Sequence, residues 1–147
     1  MALEKYDGEH PNADLVRRAH QSFKSGDPEA WKEFFAEDIV WTVTGEGEAS
    51  GVTHGFPNVM KNFMDIMEWT GGTYNAVPVD YLGTDHFAFA MARAQATRPD
   101  GRSMDMPEYV AFKVRDGKLV EAMHVAADEE AWDAFFAPAP VDVAATP

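Results

Sequence analysis

The feature that most constrains the fold of this chain is a change of hydrophobic period near Gly71-Gly72. Upstream, apolar residues recur every three or four positions; downstream they alternate one by one. Helices that precede a run of strands give an α+β layer architecture. In the first half Leu15, Val16, Ala19 and Phe23 share a helical face, with Asn12 as the predicted N-cap and Gly26 as the stop. Asp27-Pro28 opens a second helix, whose expected buried stripe is Trp31, Phe34 and Phe35. Residues 39–44 are a β-branched and aromatic run, read as a strand, and residues 45–55 read as a loop. Pro57 opens a third helix with Val59, Met60, Phe63, Ile66 and Met67 on one face.

Downstream, strands are expected at 73–82, 86–97, 103–115 and 118–126, separated by Gly83-Thr84-Asp85, Pro99-Asp100-Gly101 and Asp116-Gly117 turns. Asp128 caps a last short helix over 129–136. The expected architecture is a cone in which N-terminal helices pack into a strongly bent, mostly antiparallel sheet around an apolar pocket. Residues 1–11 are expected to be flexible, 12–136 to form one domain, and 137–147 to be a flexible Pro/Ala tail.

Composition narrows the function. A chain of 147 residues suits one domain with one core. It has no cysteine, which excludes a thiol nucleophile, an Fe–S cluster and a disulfide scaffold. The first twenty residues carry Glu4, Asp7, Glu9 and Asp14 without a signal-type apolar run, so a cytoplasmic location is expected. A net charge of −13, from 12 basic and 25 acidic side chains, argues against nucleic acid and membrane partners. The five histidines are dispersed, so no metal site is expected. The Gly45-Glu46-Gly47-Glu48 and Gly71-Gly72-Thr73 stretches lack the residues of a phosphate loop, and no cofactor is expected.

Glu108 is the foremost candidate for chemistry. It is the single acid in the alternating row Met104, Met106, Glu108, Val110, Phe112, Val114. If the Pro99-Asp100-Gly101 hairpin pairs Arg98 with Arg102, Ala92 lies across from Glu108, with Ala88, Ala90 and Ala94 on the same face. Small residues opposite large ones leave room for a ligand or a packed helix. A desolvated carboxylate there suits a general base or acid; otherwise Glu108 is a rim residue. His20, one turn beyond Val16, and His124, in the last strand, are the candidate proton partners, although alternation does not decide the face of His124. His54 precedes the third helix near the expected mouth, while His86 and His10 read as structural and terminal. The candidate ligand-binding residues are Trp41, Met60, Phe63, Met106, Val110 and Phe112, within a wider soft lining of Trp69, Tyr74, Tyr109 and the methionines Met64, Met67, Met104 and Met123. Arg93 shares a face with Phe87, Phe89, Met91 and Gln95. That face either enters the cavity or forms a convex dimer contact, and the dimer is the preferred reading.

The order of elements resembles the nuclear-transport-factor-2-like superfamily, in its SnoaL-like and ketosteroid-isomerase-like branch. The resemblance rests on the helix break Ser25-Gly26-Asp27, the stretch from Phe35 to Trp41, Gly71-Gly72-Thr73-Tyr74, Asp100-Gly101-Arg102 and the strand–turn–strand from Lys113 to Glu121. It implies the cone fold and a homodimer. Ketosteroid isomerases carry a general-base aspartate, a helix-one tyrosine and a second acid. A gapless alignment on those motifs places the three on Val43, Ala19 and near Val110, none of which transfers a proton. Two functions therefore stay open. One is a cofactor-independent cyclase- or isomerase-like enzyme acting on a hydrophobic carbonyl compound through Glu108 and a histidine. The other is a non-catalytic binder or accessory protein for a hydrophobic small molecule. They part on whether Glu108 and His20 or His124 line one void.

Overall fold

The computed structural model describes residues 10–138, and its elements follow the change of period. Helices α1 (Pro11–Ser25) and α2 (Pro28–Trp31) lead into strand β1 (Phe35–Val43), followed by a short strand β2 (Gly51–His54) and helix α3 (Phe56–Trp69). Then come β3 (Asn75–Gly83), β4 (Phe87–Thr97), β5 (Ser103–Arg115) and β6 (Lys118–Ala126), and α4 (Glu129–Phe135) is the last element among the described residues. Local chemistry sets these bounds. Pro11 and Pro28 sit in first turns, where a missing N–H removes no bond. Gly26 ends α1 at φ 74°, in the left-handed conformation that glycine adopts without a Cβ penalty. The carboxylates of Asp27 and Asp128 accept from backbone N–H groups at the starts of α2 and α4.

The six strands form one curved sheet in the order β2-β1-β6-β5-β4-β3, antiparallel except where β1 runs parallel to β6. Register irregularities between Phe35 and Val40, Pro78 and Asp80, and Lys113 and Val114 bend it, as bulges do. Helix α1 packs on β3 and β4, α3 on β1 and β2, and α4 on β5 and β6. Two apolar clusters result. The first joins Leu15, Val16, Trp31, Ile39, Val59 and Phe112; the second joins Ala94, Met104, Met106, Trp132, Phe135 and Phe136.

The β4–β5 hairpin has the expected register, with Ala92 opposite Glu108 and Thr97 opposite Ser103. Several boundaries differ. The first helix is capped by His10, not Asn12: His10 Nδ1 accepts from the Asn12 backbone N–H at 3.1 Å while Nε2 meets Asp85 Oδ1. His10 is thus a fixed cap and not part of a frayed end. The second helix spans only four residues, so Phe34 and Phe35 reach the core from the turn and from β1 rather than from a helical stripe. The expected loop 45–55 contains β2, a short edge strand that pairs Thr53 with Trp41. Most of the two expected flexible ends, 1–9 and 139–147, lies outside the described residues. Ala137 is held, its carbonyl accepting from the guanidinium groups of both Arg98 and Arg102. No helix among the described residues is long and apolar enough to cross a membrane.

Candidate functional site

Between the two clusters lies a cavity of about 180 Å³. It exists because the inner row of β4 is alanine: Ala90 and Ala92 line it and leave unfilled the space that larger side chains would occupy. Helices α1 and α3 supply Val16, Ala19 and Phe63, and α4 covers one end with Trp132.

Glu108, His20 and His124 all line this one cavity. Glu108 is only 3 % exposed and His124 6 %. Their placement follows from register, since β5 and β6 both turn alternate residues inward and Val110 lies opposite His124. One carboxylate oxygen carries the anchoring bonds: Glu108 Oε2 accepts from the Tyr74 hydroxyl at 2.7 Å and lies 2.6 Å from His124 Nε2. Oε1 has no hydrogen-bond partner among the described residues, yet it is not sealed off as His124 Nδ1 is. Tyr74 as a whole is half-buried, but its hydroxyl is deep. Burial, reinforced by the Glu108 charge and hydrogen bond, pushes its pKa well above the usual tyrosine value. Tyr74 is therefore a permanent donor to Oε2. The Trp132 ring packs 4.6 Å from the His124 ring, fixing the imidazole from behind.

His20 stands on the α1 wall, where Nδ1 lies 2.6 Å from the Tyr81 hydroxyl. Burial first, and the Lys24 ammonium second, lower its pKa below 6.5; the Ala76 carbonyl and the Glu108 carboxylate oppose them. Nε2 makes no well-aligned hydrogen bond. His20 is consequently neutral at pH 7. In the unfolded chain it takes up a proton at a higher pH than in the fold, so the unfolded state binds more protons in that window. Stability from His20 should be complete above about pH 7 and fall with acidification through the unfolded value of about 6.5. Denaturation midpoints measured from pH 7.5 to 5 should fall, and the fall should be shallower in His20→Gln. Parallel profiles for both proteins would contradict the assignment.

Of the expected ligand-binding residues, Trp41, Phe63, Val110 and Phe112 line the cavity. Met60 and Met106 do not. Met60 packs against the first cluster, and Met106 is buried in the second beneath α4, because the inner faces extend beyond the void. Trp69 and Tyr74 line the cavity, whereas Tyr109, Met64 and Met123 are exposed. His54 is exposed on β2 and does not line it. Arg93 lies on the outer sheet face, where its Nε pairs with Asp105. Val43, Ala19 and Val110, the positions aligned with ketosteroid isomerase machinery, all lie on the cavity wall. Glu108 sits two residues from Val110 on the same face, so a carboxylate occupies this wall by another route.

From sequence, Tyr74 reads only as lining and Asp133 is not singled out. Tyr74 reaches Glu108 across 34 positions, and no local spacing announces such a bond. Asp133 of α4 accepts from the backbone N–H groups of Glu46 and Gly47 and from the Ser50 hydroxyl, tying down the loop whose residues Glu48 to Gly51 edge the cavity. That approach requires Gly45: at φ 112° a Cβ there would fall 2.5 Å from Asp133 Oδ1. Among the described residues no group of three or more His, Asp or Glu is arranged to hold a metal.

The profile of the SnoaL-like domain matches residues 16–122. Bal32a, from a soil-derived mobile gene cassette, is 29% identical, superposes with a TM-score of 0.82, and the match covers 86% of this chain and 96% of that one. TerC, solved with polyporic acid, is 15% identical at TM-score 0.75, with 86% and 98% covered. IdmH from Streptomyces antibioticus, a candidate polyketide cyclase, is 22% identical at TM-score 0.66, with 80% and 93% covered. The last two likenesses show the fold alone. No curated protein matches the chain.

Proposed function

We propose, from the premise that this chain belongs to the SnoaL-like domain family, that it is a cofactor-independent proton-transfer enzyme of cyclase or isomerase type. Its substrate is a hydrophobic carbonyl compound held in the cavity. The observation that carries this reading is the two-sided Glu108 carboxylate: Oε2 is immobilised by Tyr74 and His124 while Oε1 is left for substrate. In the step, Oε1 takes a proton from the carbon next to the carbonyl. The C–H bond breaks, an O–H bond forms on Glu108, and the electron pair moves into an enolate. Glu108 returns the proton to the same or another carbon; alternatively the enolate carbon attacks a second carbonyl to close a ring, the π pair of that carbonyl becomes an alkoxide, and the alkoxide takes the proton back from Glu108. Tyr74 and His124 keep the carboxylate oriented through both halves, and neutral His20 on the facing wall is the second group able to take up a proton or donate a hydrogen bond. The candidate cyclase IdmH, with the same fold, supports the reaction class.

The test needs no natural substrate. A hydrophobic methyl ketone, 2-acetonaphthone, should exchange its methyl protons for deuterium faster with the protein than with buffer, followed by NMR in D₂O. Binding without accelerated exchange would leave the chain a binder of hydrophobic small molecules.

The partner reading is a homodimer built on the outer sheet face. Phe89, Ala111 and Met123 are adjacent across three strands, as are Met91, Tyr109 and Val125. Phe89, Tyr109, Met123 and Val125 are exposed there, and Phe87 borders them. A contiguous apolar patch of this kind marks an interaction surface. Light scattering should give about twice the 16.3 kDa chain mass, and Phe89→Glu should return it to one. A monomer at micromolar concentration in the unaltered protein would refute the dimer.

A further inference from the structure

The cavity is also selective, and its selectivity follows from what lines it. Two carboxylates border it, Glu108 on the β5 wall and Glu48 at the edge, and among the described residues no lysine or arginine does. On the α1 side, the Arg17 guanidinium lies over the Tyr81 ring at 5.3 Å, and Lys24 acts on His20 through its charge; neither lines the cavity. An anionic ligand would find no lysine or arginine in this void; of the two histidines there, His124 already faces Glu108 at 2.6 Å and His20 is neutral, so the ligand would meet a carboxylate in a medium of low polarity. The remaining wall is aromatic. Trp41 meets Phe63 edge-to-face at 5.0 Å and Phe112 at 5.6 Å, and Phe23 meets Phe63 in the same way at 5.5 Å. A flat ring extends such a lattice favourably. Size bounds the ring count: a dry cavity of roughly 150 Å³ holds one benzene, and this one measures about 180 Å³ and is open at its edge, so one ring fills the interior and a second has to extend toward the opening.

We infer that the substrate is an uncharged, one- or two-ring planar ketone, and that Glu108, besides acting as base, excludes carboxylate-bearing analogues. The inference rests on the proton-transfer reading for the reaction, but its own content is charge and shape.

The experiment compares two probes of one skeleton, 2-acetonaphthone and 2-naphthoate, titrated into the full-length protein and read by NMR shifts and calorimetry. The ketone should bind and shift the Trp41 indole resonance, and the carboxylate should bind at least 10-fold more weakly. Glu108→Gln should narrow that ratio by removing the buried charge. Naphthoate binding as tightly as the ketone, an unchanged ratio in Glu108→Gln, or no binding of either at millimolar concentration would each overturn the inference. Should the variant fold poorly, adding salt to the unaltered protein is the second measurement. The ratio should persist at 1 M salt, because a buried carboxylate is screened much less than a surface one; collapse of the ratio would mean surface repulsion only and overturn the role of Glu108. Deuterium exchange separates the two readings. Selective binding without exchange keeps the ligand class and removes the enzyme, and exchange without selectivity does the reverse.

Discussion

Glu108→Gln is expected to lower catalysed proton exchange by about 10²–10⁴-fold, the usual contribution of a positioned proton-transfer group, while the protein stays folded and still binds the ketone. The substitution is nearly isosteric in a site with little slack. The amide oxygen of the replacement side chain can still accept from the Tyr74 hydroxyl, now 2.7 Å from Oε2. What the amide cannot do is take a proton at the position of Oε1. Tyr74→Phe isolates a different role. It removes one of the two groups that fix Oε2 but leaves the base in place, so exchange should fall by less than in Glu108→Gln. Reading exchange by NMR beside a thermal midpoint and a ketone titration separates loss of chemistry from loss of fold. Unchanged exchange in Glu108→Gln, with binding intact, would remove Glu108 from the mechanism.

How far the site was legible follows from the range of each interaction. The face of Glu108 was readable because β-alternation is strictly local: one acid in a row of Met, Val and Phe points inward if the register holds. The register was readable too, since the Pro99-Asp100-Gly101 turn fixes Ala92 opposite Glu108. His124 was not decidable in this way. Its neighbours Met123 and Val125 are as apolar as Ala122 and Ala126, yet the first two are exposed on the outer face. The outer face is itself apolar, so polarity carried no signal for in or out. The bond from Tyr74 to Glu108 joins the end of the α3–β3 turn to the middle of β5, and only the folded curvature of the sheet brings them together. Strand β2 went unread for a related reason. Four residues that begin with Gly51 and lie between Gly45, Gly47 and Gly55 look like a loop until β1 offers an edge to pair with.

Trp31→Ala should be the most destabilising of the single substitutions considered, at about 3–5 kcal/mol for a buried aromatic truncated to alanine. Trp31 is 6 % exposed although its helix is a single turn. Its burial comes from the neighbours: the ring stacks on Phe23 of α1 at 4.9 Å and meets Phe63 of α3 edge-on at 5.6 Å. It therefore joins the two helices that form one side of the cavity. Its Nε1 has no hydrogen-bond partner, so the substitution sacrifices packing and no polar bond. Collapse of α1 onto α3 is limited because both also rest on the sheet, so a void remains and its cost adds to the lost burial. Trp31→Phe should recover much of the loss by keeping a ring against Phe23. At this chain length 1 kcal/mol corresponds to roughly 2–4 °C, so the alanine variant should melt on the order of 10 °C lower. His20→Ala, at a half-buried position, should fall well short of that. Since Phe23 and Phe63 also line the cavity, ketone affinity should weaken in parallel with stability. A denaturation midpoint unmoved by Trp31→Ala would mean that the helices hold their places without it and that the aromatic stack is not part of the core.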